Sequence, residues 1–417
     1  MSSSDRRGSR AKWIGLGLVI LLLVVVAGWW RWPESQVATL RAQGHPVTPE
    51  DLERGLGPEA ERGRSNALQL MAAVGDLRLD RERDISQRSA PDTLNDQAWA
   101  EAVLGGENDG SAKFLVGIED LTLALATESV AAAIRRDSAR AGTALNTAAR
   151  VGPMVGGGGV LIDFLMGVAC ERVAIATAET VFSLIPLSDS NYATLQQTFR
   201  AVEGTNVLAD VLIRDRALGL ETFRMSPDQM ASSGLAVNSF APNPGLVNWS
   251  VQLYWVLLRG MDQRFYLDQM ERLILAARQE GPGRIQGVGA VEERFTQDRL
   301  AWAHRVARGQ FVTFVSAVAI DSRLLNLLRS AQTACAVERF RLKHQRLPER
   351  LEDLVPEFMS TVPLDAVSGQ PLKYRIRDKG YVVYGVGEDG EDQGGAEKPR
   401  GSPPANASWD HTFVVDR

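Results

Sequence analysis

The sequence predicts a mainly α protein: a membrane-anchored helical bundle or loose helix-pair stack, followed by a small α+β module with a three-stranded antiparallel sheet. Three observations lead to this fold class. An uncharged run of 18 residues, 13–30, lies close to the N-terminus. Apolar residues then recur at helical spacing from residue 34 to about residue 321, and the alternation typical of strands begins only after residue 370.

The apolar run 13–30 is predicted to be a transmembrane anchor. As a helix it would rise about 27 Å, close to the ~30 Å hydrocarbon core of a bilayer. Residues 1–12 carry four basic side chains against one acid. The positive-inside rule therefore makes 1–12 a cytoplasmic tail and places the C-terminus outside the cytoplasm, on a single-pass protein of the cell inner membrane. The alternative is a cleaved signal peptide with a small-residue site at Val25-Val26-Ala27.

Residues 31–320 are predicted to form a helical extracytoplasmic domain. Thr48-Pro49-Glu50-Asp51 has the composition of a helix start, with a Thr cap, proline in the first turn and acids beside it. The run Gly281 to Gly289 indicates a surface loop. Further helical patterns cover Ala60–Val74, Ala112–Ile134, Val160–Leu184, Tyr192–Val202, Val207–Phe223, Leu246–Arg278 and Val291–Ala307.

Residues 321–417 are predicted to form the α+β module. It begins with a last long helix, Asp321 to Arg341, followed by a short helix over Leu347 to Leu354. Gly380 suits the positive φ of a hairpin turn between the first two strands. The three predicted strands are Leu372–Arg377, Tyr381–Val386 and Thr412–Val415.

Composition and motifs exclude several functions. A net charge of −5 gives no reason to expect nucleic acid as a partner. Arginine outnumbers lysine 40 to 6, and the arginines are scattered along the chain, which indicates genome composition rather than a binding patch. The four histidines stand apart and no nucleophile elbow occurs, so no catalytic residue is predicted. Cys170 and Cys335 lie in apolar helical patterns and are expected to be buried, with a disulfide left open.

One stretch, Gly385 to Gly395, crowds candidate metal ligands together. It places Glu388, Asp389, Glu391 and Asp392 among glycines, directly after an apolar strand. Hard cations such as Ca²⁺ take six to eight oxygen ligands, which carboxylates and turned backbone carbonyls supply. The spacing is not that of an EF-hand, and a solvated acidic turn is the alternative.

Residues 333–395 resemble the C-terminal globular region of the major pseudopilin of type II secretion systems. The resemblance is carried by a helix leading into Leu347-Pro348, then by the segments Glu352–Pro356, Val362–Asp365, Gly369–Leu372, Tyr381–Tyr384 and Gly387–Gly390. It implies a calcium-binding loop behind a small antiparallel sheet packed on the helix. It makes Asp389 the best ligand candidate and Asp410 the acid that closes the site, with Glu391 and Asp392 as weaker additions.

The chain departs from the family pattern in three places. Ala366 stands where the family has proline, the stretch from Gly395 to Asp410 is longer, and the N-terminus lacks the prepilin leader. We therefore do not expect a filament subunit. The whole chain looks like bacterial envelope proteins that carry such a module after a helical region.

These observations predict a role in structure or interaction, not an enzyme. The expected partners are the membrane, through residues 13–30, and other proteins, with a link to a type II secretion or pilus-like assembly. Two alternatives stay open: a helical hydrolase with a dispersed site, and a helical scaffold that binds a peptide or lipid.

Overall fold

A computed structural model describes residues 34–55, 110–156, 159–203, 207–232, 244–397 and 409–417. These residues are mainly helical, with a small three-stranded antiparallel sheet near the C-terminus, as predicted. The predicted tail 1–12, the anchor 13–30 and the helix Ala60–Val74 lie outside the described residues.

Of the eight predicted helices that fall within the described residues, four are confirmed within a few residues at each end. A helical stretch over residues 34–42 comes first. After it, the described helices are α1 (Pro49–Gly55), α2 (Gly110–Ile134), α3 (Ser138–Ala149), α4 (Val151–Gly156), α5 (Leu161–Leu184), α6 (Asp189–Glu203), α7 (Val207–Thr222), α8 (Pro227–Ser232), α9 (Pro244–Leu257), α10 (Arg259–Ala277), α11 (Pro282–Thr296) and α12 (Arg305–His344).

The described residues divide into two compact units. The first unit takes its described residues from Met1–Gly55, Leu212–Ile274 and Gly289–Val315. The second unit takes them from Leu56–Val211, Leu275–Val288 and Ser316–Arg417.

In the second unit, α2 packs against α3 and α5, and α4 against α5. The side chains that meet there are apolar and buried, and their shared burial is the main favourable contribution to this packing. They include Ile118, Leu121, Val151, Val155 and Cys170. Both cysteines are free and buried, so Cys170 and Cys335 do not form the disulfide that the sequence left undecided.

The sheet of the second unit has the order β1–β2–β3, from Lys373–Ile376, Tyr381–Gly385 and His411–Val415. All five residues of the central strand β2 are buried. Gly380, in the turn between β1 and β2, has φ +82°, as the hairpin prediction required. The Tyr381 hydroxyl donates to the carbonyl of Ala334 at 3.3 Å, which joins the sheet to the C-terminal half of α12.

In the first unit, the start of α12 is capped from another helix. The carboxylate of Asp262, on α10, accepts the N–H groups of Val306 and Ala307 at 2.9 and 3.1 Å. It also accepts the hydroxyl of Tyr254 at 2.8 Å. These bonds satisfy backbone donors that the first turn of a helix leaves open.

Three predicted boundaries are wrong. The pattern Leu246–Arg278 forms two helices that break at Leu258, where Arg259 donates to the carbonyl of Phe223 at 2.9 Å. The predicted helix Val291–Ala307 ends at Thr296, because Asp298 turns the chain by accepting the N–H of Leu300 at 2.9 Å. The last helix begins at Arg305, well before Asp321.

The glycine-rich run Gly281 to Gly289 is helical and not a loop. Gly281 has φ +60° and stands just before Pro282, the first residue of α11. A Cβ on Gly287 would lie 2.7 Å from the Cβ of Ala276, so the close approach of α11 to α10 requires glycine there. The predicted short helix Leu347–Leu354 is reduced to a single 3₁₀ turn, Leu351–Leu354.

Among the described helices, α12 alone is long and apolar enough to cross a membrane, with a mean hydropathy of 1.5 over its best window. Half of that window is buried within the protein. Core helices of proteins outside the membrane have the same length and composition, and α12 carries the buried polar side chains of Asn326 and Glu338.

Candidate functional site

The four predicted calcium ligands lie in or beside the loop that follows β2. Asp389 Oδ1 accepts the N–H of Glu391 at 3.0 Å, and its Oδ2 accepts the amide of Gln393 at 2.8 Å. Asp389 and Glu391 are both exposed. Local turn hydrogen bonds therefore hold the Asp389 carboxylate at the surface, and Glu391 contributes its backbone N–H to them.

The other two predicted ligands have partners of a different kind. Asp392 Oδ2 lies 2.8 Å from Nζ of Lys373, which is on β1. The hydrogen bond from this ammonium group is the main reason why the pKa of Asp392 lies below its usual range. Asp410 is buried and accepts the N–H of Gly395 at 2.7 Å. Burial raises the pKa of Asp410, and neighbouring backbone N–H groups oppose that rise.

The described residues do not form a calcium cage around these carboxylates. No group of three or more His, Cys, Asp or Glu side chains converges on one point in the part of the chain that is described. A calcium ion would have to displace Lys373 from Asp392 and Gln393 from Asp389. Calcium binding by Asp389, Glu391, Asp392 and Asp410 stays a prediction of the family resemblance.

A buried polar network joins this loop to α12. Asp365 accepts backbone N–H groups from Val367 and Val386 at 2.7 and 2.5 Å. Asn326, on α12, donates to Asp365 Oδ1 at 3.2 Å, and its own Oδ1 accepts the N–H of Ala366 at 2.6 Å. All of these groups are buried, so the network holds the turn after β2 against the helix.

His411, which looks isolated in the sequence, belongs to the same network. Its Nδ1 lies 3.1 Å from Asn326 Nδ2, which is a donor because Asn326 Oδ1 already faces a backbone N–H. Nδ1 must therefore accept, which leaves the proton on Nε2, 3.5 Å from Glu388. The nearby imidazole of His411, helped by the guanidinium of Arg323, lowers the pKa of Glu388 to about 2.

The second unit also contains a polar cavity that the sequence did not indicate. Its volume is about 380 Å³. It lies between α6, the end of α10, the start of α11 and α12. Most of its lining is charged, and the charged residues are Arg200, Glu203, Arg278, Glu280, Arg284, Asp321 and Arg329.

Two buried ion pairs hold the wall of this cavity. Arg284 Nη2 lies 2.6 Å from Asp321 Oδ2 and also donates to the carbonyl of Ala277 at 3.2 Å. Arg329 Nε lies 2.6 Å from Glu203 Oε1. The side chains of Arg284 and Arg329 are only 3% and 9% exposed, so their positions are set by the fold.

Two further arginines stand at the rim. Arg200 and Arg278 are exposed, and neither makes an ion pair with any described residue. Glu280 is the one rim carboxylate among the described residues that line the cavity. The rim therefore offers two guanidinium groups whose donors face water, and guanidinium groups bind carboxylate and phosphate oxygens in bidentate fashion.

The lining of the cavity is rich in guanidinium and carboxylate groups. Its described lining consists of Arg, Glu, Asp, Gln, Ala and Leu, without a Ser, Cys, His or Lys side chain. Burial raises the pKa of Asp321, but Arg284 occupies its carboxylate and opposes the shift. Of the three carboxylates in the described lining, Glu203 and Asp321 are each paired with an arginine, and Glu280 is exposed.

Comparisons with known proteins return no relative. No protein-family model, no curated protein and no solved structure matches this chain. The pseudopilin resemblance therefore rests on sequence alone and stays a prediction.

The cavity could not be found from the sequence because its residues are far apart in the chain. Arg200 and Arg329 belong to helices that are separated by more than a hundred residues, and each looks like an ordinary solvated arginine in its own helix. The arginines that look scattered in the sequence are brought together by the fold. No spacing rule for a motif would have paired them.

Proposed function

We propose that this chain is a single-pass protein of the cell inner membrane with a structural or interaction role outside the cytoplasm. In this proposal, residues 13–30 form the anchor and the C-terminus is extracytoplasmic. The basic residues on the N-terminal side of the apolar run support this orientation.

The main support for this proposal is the architecture of the C-terminal module. A long helix, α12, is followed by a three-stranded antiparallel sheet, and the central strand is fixed to the helix through Tyr381 and Ala334. The pseudopilin resemblance implies this order of helix and sheet. The order supports a role for the module in a type II secretion or pilus-like assembly, as an interacting component and not as a filament subunit.

The two edges of the sheet differ, and the difference supports one edge as the contact surface. On β3, Glu179 accepts the N–H of Val414 at 2.5 Å, and just after the strand Ser183 accepts the N–H of Asp416 at 3.1 Å, so α5 covers that edge. On β1, no described strand pairs with the outer edge, and Ile376 is 50% exposed. Open strand edges pair with segments of other chains. We place the contact with a protein partner at β1.

Site-specific photo-crosslinking in cells tests this proposal. A photoreactive amino acid replaces Ile376 in one variant and the exposed Glu119 of α2 in a control variant. A discrete adduct of higher mass from position 376, absent from position 119, is the expected result. Equal labelling at both positions, or no adduct at 376, would contradict a contact at β1.

A further inference from the structure

We propose that the cavity between α6, α11 and α12 binds a small organic anion that carries a carboxylate or phosphate group. Arg200 and Arg278 are the residues that contact this ligand. This inference is independent of the membrane topology and of the partner proposed above, because it depends only on residues within the second unit.

The charge of the cavity determines the class of ligand. Its described lining contains four arginines and three carboxylates. Glu203 and Asp321 are already paired with Arg329 and Arg284, so the interior is neutral. At the rim, two arginines face one carboxylate, which leaves an excess of positive charge for an anion to neutralise.

The wall of the cavity is preorganised for such a ligand. Glu203 receives both Arg329 Nε at 2.6 Å and Gln332 Nε2 at 2.7 Å, so neither Glu203 nor Arg329 needs to rearrange on binding. Arg284 is only 3% exposed, and its Nε–H has no acceptor among the described residues. A buried donor without an acceptor costs free energy, and an anionic oxygen is the best acceptor that a ligand can bring.

Size and polarity narrow the ligand further. A cavity of about 380 Å³ is at the small end of ligand pockets, and the apolar lining is limited to Ala277 and Leu325. A long acyl chain or an aromatic ring would find little apolar surface there. A compact, polar oxyanion, such as a short dicarboxylate or a small phosphate ester, matches both the volume and the charge.

Calorimetric titration of the full chain in detergent tests the inference. Inorganic phosphate and succinate serve as separate probes in low-chloride buffer, with sodium chloride at matched ionic strength as the blank. Saturable binding of at least one probe is expected. Arg278→Gln and Arg200→Gln should each weaken it roughly tenfold or more, because a hydrogen bond to a charged group is lost. Phosphate alone would indicate a phosphorylated ligand, and succinate alone a carboxylate.

Arg150→Gln is the matched control, since Arg150 is an exposed arginine of the same unit that does not line the cavity. A second measurement needs no variant: modification of the wild-type chain by phenylglyoxal, mapped by mass spectrometry. The probe that binds should protect Arg200 and Arg278 and leave Arg150 reactive. Two results overturn the inference: neither probe saturates above the chloride blank, or binding is the same in all three arginine variants.

Discussion

Replacing Glu171 by glutamine is expected to stabilise the protein at neutral pH and to leave its stability at pH 4 nearly unchanged. Glu171 lies on α5 and is only 8% exposed. A Cβ on Gly152 would lie 2.4 Å from its Cγ, so the helix bearing Gly152 packs directly on this side chain. Burial, with a smaller contribution from the charge of Asp321, raises the pKa of Glu171 to about 8.

The sign and size of the effect follow from that pKa. The folded state binds the proton more tightly than the unfolded chain, in which the pKa of a glutamate carboxyl has its ordinary value of about 4.5. The favourable contribution is therefore complete below pH 4.5 and is lost as the pH rises towards 8. At pH 7, keeping the buried carboxyl protonated costs about 3 kcal/mol relative to pH 4, at about 1.4 kcal/mol per pH unit. Glutamine carries no such proton and avoids this cost.

Thermal unfolding of the full chain in detergent, measured at pH 4, 5.5, 7 and 8, is the assay. Because about 1 kcal/mol shifts Tm by roughly 2–4 °C in a unit of this size, the variant should melt several degrees higher than wild type at pH 7. The difference between variant and wild type is the quantity to compare, since the pKa values of Glu179 and Asp262 are also raised, each to about 7. Their contribution is common to both proteins and cancels.

The control variant is Glu119→Gln, at an exposed position of α2, and its Tm should follow that of wild type at every pH. A Tm difference for Glu171→Gln that does not depend on pH would refute the reasoning, because the effect would then come from packing and not from proton binding. A variant less stable than wild type at pH 8 would show that the ionised carboxylate has a partner that glutamine cannot replace.

Three further predictions concern other parts of the fold. Gly287→Val should destabilise the second unit by about 1–3 kcal/mol through overpacking. Gly289→Ala is the control: its Cβ has open space around it, so this variant should raise stability by about 0.5–1 kcal/mol. Equal effects of the two variants in urea unfolding would contradict the close helix contact. Asp262→Ala should remove about 1–2 kcal/mol of capping free energy and speed amide hydrogen exchange at the start of α12. Unchanged exchange there would show that the cap contributes nothing to the stability of the helix. In the calcium site that the resemblance implies, Lys373 competes with the metal for Asp392. Adding 1 mM CaCl₂ should therefore raise the Tm of Lys373→Gln by more than the Tm of wild type, with MgCl₂ as the blank. No rise in Tm in either protein would count against calcium binding.

Much of the fold could be predicted because each element has a local cause. The helical periodicity predicted α2, α5, α6 and α7 within a few residues. The turn at Gly380 predicted the β1–β2 hairpin. Both signals depend on residues that are close together in the chain, so no knowledge of tertiary packing was needed to recognise them.

The errors arose where tertiary contacts override local signals. Gly287 suggests a loop, yet it lies inside α11. Glycine occupies this position because a neighbouring helix approaches too closely for any side chain. The start of α12 at Arg305 is set by Asp262, which is more than forty residues earlier in the chain and gives no local signal.

The same limit explains what could be found of the candidate site. The acidic loop after β2 was visible because its carboxylates are contiguous, but their partners were not. Asn326 and His411 meet only in the folded chain, at 3.1 Å. The arginines of the cavity likewise come from separate parts of the chain, and only the fold brings them together.

Protease shaving of spheroplasts tests the central claim most directly. The full chain carries an epitope tag after Arg417, and a cytoplasmic marker protein reports on lysis. The account predicts that the protease removes the tag from intact spheroplasts while the marker survives. A tag that stays protected until the membrane is lysed would place the C-terminal module in the cytoplasm and contradict the proposed function.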